Sequence, residues 1–165
     1  KKRLYVPDDQ ENYVLKSLVK PIFRAFEYTR LLKGQHLPFS DASKNVFGVI
    51  SVDPGRYANI CITVHDDDLQ GTIPISLQLE IFGENITEQS KLVYSKRIDS
   101  QSCNPYETWL EMNSPYEITR AQWNALFASS KPSSIHFDDL VMEKGRIKLS
   151  TSLKRHSFNF IRIKL

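Results

Sequence analysis

Glu27, Glu80, Glu107 and Glu111 are carboxylates on regular stretches of the chain, where a pair held across one bond could do general acid–base work. Each falls on a helix or strand face, and nothing in their spacing makes two of them converge. The histidines His36, His65, His136 and His156 are isolated and follow no metal-binding spacing such as HExxH, so each reads as a surface or strand histidine. Asp66, Asp67 and Asp68 are consecutive. Neighbouring loop carboxylates do not easily close on one calcium ion, and the alternating oxygen spacing of an EF-hand is absent, so the run reads as a solvated loop. Cys61 and Cys103 lack CxxC spacing, and Cys61 lies in an apolar strand pattern as a reduced core thiol, which points to a cytoplasmic location. With no GxSxG and no glycine-rich phosphate loop either, no catalytic residue, metal or cofactor is expected.

The aromatic residues offer a second kind of chemistry, stacking on a flat ligand such as a sugar ring. Tyr57, Tyr94, Tyr106, Trp109 and Trp123 are the candidates, with Trp109, Trp123 and Tyr57 foremost. Most of them sit in register with apolar neighbours, so filling a core or a helix-to-sheet seam is the favoured reading. Structural roles are expected for five residues: Asn104 as a helix cap, Tyr106 and Trp109 as packing residues, and Thr119 with Gln122 as a reciprocal capping pair.

Those residues belong to the one long helical signal in the second half of the chain, 104–132, which reads NPYETWLEMNSPYEITRAQWNALFASSKP. It divides into a helix at 105–112, with Trp109 and Met112 on one face, and a helix at 119–129, with Trp123, Leu126 and Phe127 on one face. Pro115 and Pro132 close them. Earlier, 15–33 has apolar residues at helical spacing, with Pro21 expected in the first turn, an extended loop before it and Gly34 as the C-cap. That stripe is too apolar for a helix standing alone in water. Residues 35–45 read as a crossing loop.

Strands are expected at 46–52, at 56–65 (half-buried), at 72–82 and at 91–98, with a tight turn at Asp53, Pro54 and Gly55. Pro74 has no amide to give a neighbour, which places it on an edge strand or among the first residues of the 72–82 strand. Three further strands, 135–142, 146–153 and 157–165, are joined by short turns and are expected to form an antiparallel meander.

The 165 residues suffice for one core and an attached fragment. No apolar run approaches the ~20 residues of a membrane span, and the first residues lack the apolar stretch of a signal peptide. The net charge of +3 is scattered, with local clusters only at Lys1, Lys2, Arg3 and at Lys154, Arg155. No direct nucleic-acid contact is expected from that pattern.

The order NPYETWLEM, Ser-Pro, a T-x-x-Q helix, Lys-Pro and then strands resembles the end of the glycoside hydrolase family 39 enzymes, the β-xylosidases and their relatives. Lys20, Pro21, Phe23, Arg24, Ala25, Phe26, Leu32 and Gly34 likewise hold the places of the last barrel helix in that family. There are two departures. The glycine-rich loop before that helix is replaced by ENYVLKS, and the histidine of the family's His-Ser-Asn junction is replaced by Ser102, although Asn104, Tyr106 and Trp109 match. The family's two catalytic glutamates lie on barrel strands that would precede Lys1.

The resemblance implies a mainly β chain. Residues 1–34 would be the end of a truncated (β/α)8 barrel, and 35–165 an accessory antiparallel β-sandwich of seven or eight strands with two short helices inserted near 104–130. It implies a non-catalytic module that packs on the missing barrel, aids contacts between copies and meets xylose-type sugars only through the parent protein. Two alternatives stand beside it: the C-terminal, sugar-sensing portion of an AraC-type transcription regulator that carries a family 39-like domain, and an independent carbohydrate-binding module.

Overall fold

A computed structural model describes residues 2–8, 13–53, 56–68 and 73–165. The expected turn at Pro54 and Gly55, and the loop and strand start at 69–72, lie outside the described residues. Ten strands and three α-helices follow the order β1 (Lys2–Pro7), β2 (Tyr13–Leu18), α1 (Pro21–Thr29), β3 (Gln35–Asp41), β4 (Val46–Asp53), β5 (Tyr57–Val64), β6 (Ile75–Phe82), β7 (Lys91–Ile98), α2 (Pro105–Glu111), α3 (Arg120–Ser129), β8 (Asp139–Glu143), β9 (Arg146–Leu153) and β10 (Ser157–Lys164). The chain is mainly β, and its body is an antiparallel β-sandwich, as expected. A five-stranded sheet, β3-β4-β5-β10-β7, faces a three-stranded sheet, β6-β9-β8.

The sandwich core is built from inward-facing aliphatic side chains of both sheets. Ile60, Ile62, Ile161 and Ile163 on one sheet meet Leu77, Ile147, Leu149 and Leu153 on the other. β6 shows the alternation of an edge strand, with Leu77 and Ile81 buried and Ser76, Gln78 and Glu80 exposed. Its position at the sheet edge agrees with Pro74 just before it.

β5 is buried on both faces rather than half-buried, because it lies between β4 and β10 and is covered from outside as well. That outer cover is α1. The Tyr28 ring stacks on Phe160 with centroids 5.1 Å apart, and Asn59 donates its amide to the Leu31 carbonyl at 3.0 Å. Ser51 clamps the segment after the helix, accepting from the Lys33 amide at 2.6 Å and donating to the Lys33 carbonyl. Phe158 and Phe160 therefore point towards α1, while Ile161 and Ile163 point into the sandwich core. This explains why β10 lacks a clean period of two.

The structure corrects four further expectations. The last three strands are not a meander: β8 and β9 pair, but β10 crosses to the other sheet between β5 and β7. A strand apolar on both faces is stable in the centre of a covered sheet, and β9 already has β6 and β8 on its two edges. Residues 35–45 are not a loop; β3 pairs along its whole length with β4. Phe39 there covers Gly48, where a Cβ would come within 2.2 Å of its ring. Residues before Pro21 are a hairpin, β1 with β2, rather than an extended loop. Gly34 does not cap α1, which ends at Thr29 with Arg30 at the C-cap; Gly34, at φ +79°, instead turns the chain into β3 against the Val52 carbonyl.

A second, smaller core joins the β1–β2 hairpin to the helical excursion. Leu4, Val6 and Leu18 are buried with Ile118 and Leu126, and Trp109, Met112 and Trp123 pack around them. The outer edge of β1 is partly satisfied by this excursion, since Ile118 donates its amide to the Tyr5 carbonyl at 3.1 Å.

The excursion is tied at its base to β7. The fully buried Asp99 carboxylate accepts from the Gln101 and Ser102 amides at 2.8 Å each and pairs with Arg97 at 2.9 Å. Ser102 donates its hydroxyl proton to the Arg97 carbonyl at 2.9 Å and accepts from the Ser133 amide at 2.8 Å. The Arg97 amide reaches the Ser133 carbonyl at 2.8 Å, and Ser95 holds Ile135 in the same manner.

Burial pushes the Cys61 thiol up to about 12 and the Cys103 thiol up to about 11. Both cysteines are free and buried, and Cys103 donates to the Ser130 carbonyl at 3.1 Å.

Two predictions follow from this architecture. Ser102→Ala leaves the Ser133 amide unpaired and is expected to cost about 1–3 kcal/mol, a fall of about 2–4 °C in Tm per kcal/mol for a chain of this size. Hydrogen exchange should quicken at Ser133 before it does in β5; a variant as stable as the parent refutes the role given to Ser102. For the thiols the sign is set by the raised folded values. Their contribution is intact below the unfolded thiol value of about 8.5 and is lost as pH rises towards 11, at about 1.4 kcal/mol per pH unit for each. Cys61→Ala should therefore show a shallower loss of stability than the parent between about pH 8.5 and 11 in urea unfolding, and the same dependence on pH below that window.

Candidate functional site

The helical excursion positions the aromatic candidates. Thr119 caps α3 with a complete capping box: its hydroxyl accepts from the Gln122 amide at 3.2 Å and the Gln122 side chain accepts from the Thr119 amide at 2.8 Å. Asn104 stands at the N-cap position of α2, but its side chain does not cap. Its amide donates to the Ser100 carbonyl at 3.0 Å instead, and Pro105 at the first helical position leaves one fewer amide to satisfy.

Trp109 is fixed by donation from its indole Nε1 to the Pro115 carbonyl at 2.8 Å. It borders an apolar cleft of about 510 Å³ between Leu4, Leu18 and Pro21 on one side and Pro105 and Tyr106 on the other. Tyr106, expected to pack, is instead 54% exposed, with its ring 5.8 Å from that of Trp109. Tyr106 and Trp109 both line the cleft, Tyr106 as its more exposed aromatic.

Trp123 borders the small core from the other helix, flanked by Phe127 at 6.5 Å and by the Lys16 ammonium 5.7 Å from its ring centroid. Phe127 is exposed, a departure from the expected apolar face of Trp123, Leu126 and Phe127; Leu126 alone of the three is fully buried. Tyr57 lies elsewhere, at the start of β5, with the Arg162 guanidinium 3.8 Å over its ring. Trp109 and Trp123 thus share the small core, and Tyr57 belongs to the five-stranded sheet. Tyr94 also serves that sheet, beside Phe160 at 5.9 Å.

Two of the four candidate glutamates are ion-paired. Glu27 pairs with Arg24 on α1 and Glu80 with Arg146 across β6 and β9, both at 2.8 Å. Glu107 and Glu111 stand exposed on α2. Asp66 departs from the solvated-loop expectation: it is buried, bonded to Arg155, and accepts from the Asp68 amide at 3.0 Å.

Two histidines that look isolated in the sequence are neighbours in space. His65 and His156 have ring centroids 5.9 Å apart, because the β5–β10 register places the residue after Val64 opposite the residue before Ser157. Finding that pair required knowing that β10 leaves β9 for β5. Among the described residues, no group of three His, Cys, Asp or Glu side chains is placed to hold a metal ion, and no helix is long and apolar enough to cross a membrane. The cleft presents mainly apolar contact surface, with Lys20, Asn104 and Tyr106 as its polar lining residues.

Comparison with known proteins agrees with this geometry. A β-xylosidase of Caldicellulosiruptor saccharolyticus is 27% identical over 147 residues, 88% of this chain and 29% of that protein. Among solved structures, the bacterial orthologue of human α-L-iduronidase superposes with a TM-score of 0.73 at 20% identity, covering 93% of this chain and 28% of its own. A monomeric β-xylosidase from Caulobacter crescentus CB15 gives 0.70 at 18% identity, with 89% and 31% covered. These likenesses establish the fold, and the chain spans less than a third of the length of these relatives. The model of the glycosyl hydrolases family 39 matches residues 10–146, most of the 165 residues, and the chain belongs to that family.

Proposed function

We propose that this chain is the non-catalytic accessory β-sandwich of a β-xylosidase-type glycoside hydrolase, packed against the (β/α)8 barrel of its parent through α1. The observation that carries this reading is the outward face of that helix, where Ile22, Phe23 and Phe26 are 53%, 45% and 57% exposed. The opposite side is taken by Tyr28 on Phe160. An apolar helix face left exposed on one body is a surface for a second body to cover, and the sandwich covers only the Tyr28 side. Residues 1–34 would then be barrel-side and 35–165 the accessory domain. Because the Caulobacter crescentus relative is described as monomeric, we assign the face to a barrel before a second copy.

Glycoside hydrolysis in most such enzymes takes two carboxyl groups about 5–10 Å apart across the scissile bond. The carboxylates described above are ion-paired or stand on solvent faces, which supports a module without turnover of its own. The expected result is no hydrolysis of 4-nitrophenyl β-xyloside by the 165-residue chain and no tryptophan fluorescence change with xylotriose. Adding the separately produced barrel of the Caldicellulosiruptor saccharolyticus β-xylosidase should slow hydrogen exchange across 22–28. Phe26→Asp should weaken that protection by about tenfold or more, given ~1.5–3 kcal/mol for a buried Phe. Turnover by the chain itself, or exchange in α1 indifferent to the barrel, overturns the reading, and a saturable response to xylotriose would favour an independent carbohydrate-binding module.

A further inference from the structure

The outward face of α1 does not end on apolar ground. Pro21, Ile22 and Ala25 share an open recess with His65, just after β5, and with His156, just before β10. Ile22 is among the exposed residues that make α1 the barrel-facing helix. A body seated on Ile22 in this recess therefore also closes over the two imidazoles, of which His65 is exposed and His156 half-buried without it.

The two rings stand nearly perpendicular with centroids 5.9 Å apart. His156 Nε2 lies 3.0 Å from the Asp68 carbonyl; that oxygen only accepts, so Nε2 carries its hydrogen in the neutral and the charged ring alike. His65 has Asp67 Oδ1 at 3.6 Å, and Asp68 beside it is exposed. The charged groups on the elements packed around the pair are engaged elsewhere: Asp66 with Arg155, Asp99 with Arg97, Arg24 with Glu27 on α1, and Lys44 with Asp41 on the turn whose Asn45 carbonyl accepts from the His65 amide. Lys154 bonds the Gln101 side chain, Lys20 adds positive charge before Pro21, and residues 69–72 bring no ionisable side chain. Only Asp67 favours a charged ring, and it is fully exposed. An exposed pair of that kind contributes little, whereas taking a cation out of water costs far more. Two imidazoliums face to edge add their own repulsion.

We propose that α1 docks on its barrel only with His65 and His156 neutral, so that docking expels protons and mild acid releases the module. The inference rests on the reading of α1 as the barrel-facing helix. Imidazoles titrate near pH 6.5. The docked state excludes the charged form, so affinity is complete above that range and is lost as pH falls through it. At about pH 5.5 the loss is about tenfold for each histidine and about a hundredfold for the pair.

The test is calorimetric titration of the 165-residue chain with the Caldicellulosiruptor saccharolyticus barrel at about pH 8 and about pH 5.5, with circular dichroism at each pH as the check on folding. A further titration at about pH 6.5 in two buffers of unequal ionisation heat counts the protons, and about one should be released, half from each ring. The double variant His65→Gln, His156→Asn should bind like the parent at the higher pH and equally well at the lower. Residue 156 has φ +53°, which asparagine adopts readily. Parent affinity that is the same at both pH values overturns the proposal, as does a double variant that loses affinity in acid as steeply as the parent. Absence of docking at both pH values overturns the reading of α1 itself and this inference with it, so the two failures are told apart.

Discussion

The excursion that carries α2 and α3 depends on a closed loop of hydrogen bonds at its base. The chain leaves β7 after Ile98 and comes back to the same strand at Ser133, so about 35 residues must begin and end within one hydrogen-bond length of each other. Closing a loop of that length costs entropy that grows only slowly with length, but the closure point must be rigid. Asp99 supplies that rigidity as a buried carboxylate with two backbone amides and Arg97 around it. Ser102 then joins the outgoing chain to the returning one. Without this closure the helices would have no fixed position against the β1–β2 hairpin, and Leu126 and Ile118 would lose the surface that buries Leu4 and Leu18.

A second constraint is the two-sided burial of the five-stranded sheet. Its central strands carry apolar residues on both faces, so the sandwich partner alone cannot satisfy them. α1 covers the outer face, with Tyr28 as its contact and the Ser51 and Asn59 side chains as backbone clamps. The polar residues Ser51 and Asn59 are buried at these positions because they bond a segment that crosses the sheet surface, where aliphatic side chains would leave its amides and carbonyls unmet. The same arrangement moves the imbalance outward: α1 turns Ile22, Phe23 and Phe26 away from the sheet.

Local signals made much of this legible in the sequence. The capping box at Thr119 and Gln122, the alternation of β6, the proline at the start of α1 and the paired helices of the excursion all rest on contacts within a few residues, and they stand where the spacing put them. What was not legible depended on long-range pairing. β3 has turn residues and Pro38 and looks like a loop; it is a strand because β4 offers a free edge along its length. β10 follows β9 by a short turn, which favours a hairpin by proximity, yet its apolar residues on both faces demand the sheet centre. The His65–His156 pair shares this cause, since it arises from the β5–β10 register. Asn104 shows the limit of local reasoning too, because it has the right position for a cap and a different partner.

Ser102 shows how one small side chain can hold the base of the excursion closed. At this junction, where the resemblance implies a histidine, a side chain one carbon long places a single oxygen within 2.8–2.9 Å of the Arg97 carbonyl, the Ser133 amide and the Ser133 hydroxyl. A hydroxyl can donate once and accept twice, so one atom serves the outgoing and the returning strand together. An imidazole has one donor and one acceptor on opposite parts of a rigid ring and could not bring both to the same point beneath a residue only 6% exposed. Serine therefore sets a neutral bond, and no titratable group, at this point of the excursion's base. The bonds around Ser102 all serve that closure, since each joins β7 or the outgoing chain to the chain returning at Ser133.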